Sequence, residues 1–63
     1  MEVLKIVKIE YVDGKTLIDY KTFKDDIENT AGQWSQEGEL TNEQVVEYAK
    51  TMVDAGIEVS LEI

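Results

Sequence analysis

The chain has 63 residues, 14 of them acidic against 6 lysines for a net charge of −8, and it contains no cysteine, histidine, arginine or proline. A single domain this short buries only about 60% of its unfolded surface, with neither a disulfide nor a thiolate metal site to reinforce it. Lack of His and Cys removes the commonest general base and the strongest nucleophile, and the acidic balance argues against direct binding to nucleic acid or to an anionic membrane surface.

Residues 2–23 read as a β-hairpin. Asp13-Gly14 suits a two-residue turn that needs positive φ. Pairing Val12 with Lys15 sets Tyr11 against Thr16, Ile9 against Ile18 and Val7 against Tyr20 on one apolar face, and Lys8 against Asp19 on the other. A slip of one residue would set Ile9 against Asp19, because it exchanges faces. The preferred register sends Leu4, Ile6, Leu17 and Phe23 to the opposite face. Strand one is then apolar on both sides near its start, or it changes face at a bulge between Ile6 and Val7.

Residues 22–34 are ambiguous. Thr22 and Asp25 have capping-box spacing, and Phe23, Ile27, Ala31 and Trp34 can share a helical face. Asn29, Thr30 and Gly32 are poor helix formers. The expectation is a short helix over about 24–31, with a continuation of strand two as the competing reading. Residues 35–39 read as a polar loop pivoting on Gly38.

The clearest helix spans about 42–55. Thr41 and Gln44 have the spacing of a capping box, and Leu40 and Val45 that of a hydrophobic staple. Val45, Ala49, Met52 and Val53 form one apolar stripe, widened by Tyr48 and Val46. Gly56 is placed to take the left-handed conformation that ends the helix. Residues 57–63 then alternate Ile57, Val59, Leu61 and Ile63 with Glu58, Ser60 and Glu62, the period of a strand with one buried face. The whole reads as a single α+β domain over 1–63, the helix packed on a three-stranded sheet. The last strand is placed beside strand one, in either direction.

Charge is uneven along the chain. Residues 1–24 hold four acids and five lysines, net +1, and residues 25–63 hold ten acids and one lysine, net −9. Asp25, Asp26, Glu28, Glu37, Glu39, Glu43 and Glu47 are the candidate binding residues. They form either a solvated face that keeps a small protein soluble or a negative surface that docks on a basic partner. Carboxylates spaced over a helix and its adjoining loop can imitate a phosphate track and compete for a Lys/Arg groove. Trp34 reads as a lid on the core or as an apolar binding anchor, and its place beside a polar loop favours the anchor. Asp25, Asp26 and Glu28 lack the spacing and the turn glycine of a calcium loop, so neither metal nor cofactor is expected. An enzyme is not expected either.

In size, acidity and lack of catalytic residues the chain resembles the small non-enzymatic inhibitors encoded by phages and mobile elements, including anti-CRISPR and anti-restriction proteins and other DNA mimics. That resemblance implies an inhibitor or modulator acting on a basic, nucleic-acid-binding protein. A second reading is a structural or assembly protein that forms a homo-oligomer through the apolar face of Leu4, Ile6, Leu17 and Phe23. With no signal-peptide core and no membrane-length apolar run, a soluble cytoplasmic protein is the expectation.

Overall fold

The computed structural model describes residues 1–63. It has strands β1 (Glu2–Val12), β2 (Lys15–Lys24) and β3 (Ile27–Glu37), helix α1 (Asn42–Met52) and strand β4 (Glu58–Leu61). The strands form one mixed sheet in the order β3-β2-β1-β4. The first three make an antiparallel meander, and β4 runs parallel to β1 at the far edge. The class is α+β, with four strands rather than three. No helix is long and apolar enough to cross a membrane.

Asp13 (φ 51°) and Gly14 (φ 77°) both adopt positive φ. That is the signature of the turn whose twist matches the flanking strands. From this turn the expected register holds, with Val12 opposite Lys15, Tyr11 opposite Thr16, Ile9 opposite Ile18 and Lys8 opposite Asp19. It then shifts between Ile6 and Lys8, so that Ile6, not Val7, faces Tyr20. Val7 is the extra residue of a bulge. Because side chains alternate, the bulge returns Leu4 and Ile6 to the same face as Ile9.

That shift makes the core. Leu4, Ile6 and Ile18 are buried beneath Val45 and Ala49 of α1, with Trp34, Leu40, Val46, Val53, Ile57 and Val59 packed around them. Leu4 and Ile6 are therefore withdrawn from the surface on which a second copy was expected to sit. Leu17 and Phe23 do lie on the uncovered face, half-buried, and Lys5 Nζ sits 4.7 Å from the Phe23 ring centroid.

Residues 24–31 are not helical. Asp25 (φ 51°) and Asp26 (φ 64°) form a second two-residue turn between β2 and β3. Aspartate tolerates the left-handed region better than most residues. Cross-strand partners then hold the segment extended. The Thr22 and Thr30 hydroxyls hydrogen-bond to each other, and Lys21 Nζ lies 3.5 Å from Glu28 Oε1. Ser35, Gln36 and Glu37 belong to β3 rather than to a loop.

Tyr20 faces Gly32 across the β2–β3 pair. A Cβ at Gly32 would lie 2.6 Å from the Tyr20 hydroxyl oxygen. The glycine thus leaves room for the ring, which meets Trp34 at 5.5 Å between centroids.

Thr16 ties the far end together. It is 1% exposed, its hydroxyl donates to Gly38 O at 2.6 Å, and it accepts from Leu40 N–H at 3.1 Å. Gly38 N–H donates in turn to Gly14 O at 2.8 Å. These bonds fasten the β3–α1 connection to the first hairpin and fix where the helix begins.

Helix α1 starts with the expected capping box. Gln44 N–H donates to Thr41 Oγ1 at 3.1 Å, and Thr41 N–H donates to Gln44 Oε1 at 2.9 Å. It ends at Met52, with Val53 extended, three residues earlier than expected. Gly56 has positive φ (95°), but it serves a separate turn closed by Ile57 N–H to Asp54 O at 3.2 Å.

Candidate functional site

The fold divides the acidic set. Asp25 and Asp26 form the β2–β3 turn, whereas Glu37 ends β3. An 11-residue strand at roughly 3.3 Å per residue separates these ends by about 30 Å, in keeping with the molecule's long dimension of 36 Å. Asp25 Oδ1 lies 3.1 Å from the Met1 amino group. Glu28 is engaged by Lys21, as above, and Glu37 faces Lys15 across the β2–β3 pair. No three carboxylates are grouped so as to hold a metal ion.

The uncovered sheet face is mixed in charge. Pairing places Lys5, Lys8, Lys15 and Lys21, four of the six lysines, there with Glu10, Asp19, Glu28, Glu37 and Glu58. Lys8 Nζ lies 3.7 Å from Glu10 Oε2, and Lys5 Nζ lies 3.7 Å from Glu62 Oε1. This face neutralises much of its own charge.

The helix side is different. Glu43 and Glu47 are one turn apart and so share a face of α1, with exposed Glu39 just before the cap. Lys50 is the only cation on the helix, and its Nζ lies 3.6 Å from Glu47 Oε1. Exposed ion pairs of this kind are weak. Glu39 and Glu43 have no ion-pair partner.

Trp34 does not stand out into solvent. It is half-buried on the helix side against Tyr20, and its indole N–H is buried without a hydrogen-bond partner. It is a lid on the core, so the anchor reading is corrected. The exposed aromatic beside the acidic helix face is Tyr48, 44% exposed, which borders a shallow depression with Thr41, Glu43, Gln44, Glu47 and Thr51. Met52, at 54% exposed, also leaves the core stripe. Helix geometry could have flagged Tyr48, but not Met52, which lies only about 20° from Val45 around the helix. The buried set is Val45 and Ala49, flanked by half-buried Val46 and Val53. At about 100° per residue, Met52 lies roughly 75° and Tyr48 roughly 115° from the centre of these four residues.

No protein-family model matches the chain, and no curated protein or solved structure is significantly similar to it.

Proposed function

We propose that the protein is a small non-enzymatic binding module that docks its acidic helix face on a basic, nucleic-acid-binding protein and inhibits or modulates it. The observation that carries this reading is the arrangement of Glu39, Glu43 and Glu47 along one end and face of α1, all exposed and offset only by Lys50. Tyr48, beside them, supplies an aromatic contact with a polar tip, the kind of residue that anchors interfaces. Asp25, Asp26 and Glu28 stand apart and take no part. The docking surface is accordingly narrower than the whole 25–47 segment.

Such a contact is electrostatically steered, so added salt weakens it steeply. The test is a pull-down from host lysate on immobilised protein, washed at low and high salt, followed by kinetics on the captured partner. Charge reversal at Glu39, Glu43 and Glu47 should slow association about tenfold or more without unfolding the domain. Duplex DNA should compete for the same partner. A charge-reversed, folded variant that binds as well as the parent at low salt would overturn the reading.

A further inference from the structure

The two edges of the sheet are not alike. Edge strand β4 is four residues long and carries Glu58, with Glu62 just beyond it. Short strands and charges are the usual protection against edge-to-edge pairing. Edge strand β3 is 11 residues long, and its stretch Asn29–Gln36 has no charge and no proline. Exposure is high along it: Ala31, Gln33 and Ser35 are exposed and no other strand lies beyond it. One bulge, at Asn29 opposite the Thr22–Phe23 step, is its only irregularity. The core beneath the sheet has five buried apolar residues, and a core this small gains from association.

We infer that β3 is a self-association edge, at which two copies of this chain pair antiparallel into one eight-stranded sheet. A two-fold axis perpendicular to the sheet keeps both helices on the same side. Centred on Gly32, it sets Ala31 opposite the second copy's Gln33 on the uncovered face. On the helix face it sets Thr30 opposite the second copy's Trp34. With Asn29 still the extra residue, Glu28 then meets a serine. Moving the centre by one residue to Gln33 would bring Glu28 against Glu37 of the other copy, and like charges directly opposite are unfavourable. The uncharged stretch is thus self-complementary about Gly32. A second copy fits it better than a strand of a basic partner, because the stretch itself offers no carboxylate to attract one. Pairing uses both long edges and leaves only the short β4 edges, so the assembly closes as a dimer.

This surface is separate from the acidic helix face, and its salt response has the opposite sign. Two anionic copies repel, so added salt strengthens their association. Sedimentation equilibrium up to millimolar concentration should show a species of twice the 7.2 kDa chain mass. Hydrogen exchange should show protection of the 29–36 amides that rises with concentration. Ala31→Lys combined with Gln33→Lys places two like-charge contacts in the seam and should raise the dimer dissociation constant on the order of tenfold. Ala31→Glu combined with Gln33→Lys makes those contacts opposite in sign and should restore the dimer. In the latter pair each new charge also faces an opposite one within its own chain, Lys21 and Asp19 respectively. A chain that stays monomeric at every concentration, with unchanging exchange in 29–36, overturns the inference. So does a double-lysine variant that dimerises like the parent, and a complementary pair that fails to restore dimerisation overturns the Gly32-centred pairing.

Discussion

Thr16→Val is the sharpest test of how the helix is positioned. Valine keeps the branched shape and removes one hydroxyl. That hydroxyl donates to Gly38 O and accepts from Leu40 N–H, at 2.6 Å and 3.1 Å. Losing it orphans one acceptor and one donor, each worth roughly 1–3 kcal/mol where water cannot reach. Gly38 is exposed and Leu40 half-buried, so the lower end applies to each, about 2 kcal/mol in all. A domain of this size whose core supplies roughly 3–5 kcal/mol would lose about half of that. The melting temperature should fall by roughly 8–16 °C. Urea and thermal unfolding followed by circular dichroism read the loss directly. Exchange at the Leu40 amide should quicken, and Thr16→Ser should retain the loop bonds and lose less. A Thr16→Val protein as stable as the parent, or less damaged than Thr16→Ser, would refute the account.

Two further substitutions probe the second hairpin. Gly32→Ala drives a methyl into the Tyr20 ring, 2.6 Å from its hydroxyl oxygen and 2.8 Å from Cζ, and should cost about 1–3 kcal/mol while altering Trp34 fluorescence. The same change in a Tyr20→Leu background should cost distinctly less, and equal costs in a double-mutant cycle would contradict the proposed contact. Asp26→Gly relieves a left-handed residue at φ 64° and reproduces the Asp-Gly pair of the first turn. It should stabilise the domain by up to about 1 kcal/mol, read as a rise in the thermal midpoint, and an unchanged or lower midpoint would show that the turn is unstrained.

Some features of this molecule are written in a few neighbouring residues. Asp13-Gly14 fixed the first turn, and with it the register from Lys8 to Val12. Thr41 and Gln44 fixed the start of α1, because a capping box needs nothing beyond its own four residues. The alternation from Ile57 onward announced a closing strand, and its place beside β1 followed from the apolar character of that strand; the strand expected over 57–63 is in fact confined to Glu58–Leu61, and Leu61 and Ile63 are exposed rather than buried. Aspartates 25 and 26 could have announced a second turn, but an apparent helical spacing from Phe23 to Trp34 competed with them. Only cross-strand partners such as Thr22, Lys21 and Tyr20 decided for β3.

The remaining decisions depend on contacts between distant segments. Which face Leu4 and Ile6 occupy turns on one extra residue at Val7, because strand parity reverses with every residue inserted. Trp34 became a lid because its strand register placed it opposite Ile18. Thr16 gave no local sign of its role, since its partners lie in a loop 22 and 24 positions away. Likewise the total charge was legible from composition, whereas its division between two sheet ends, a self-neutralised face and an acidic helix was not. Local backbone chemistry is encoded where it acts; side-chain placement in a sheet is set by pairing, and pairing belongs to the folded chain.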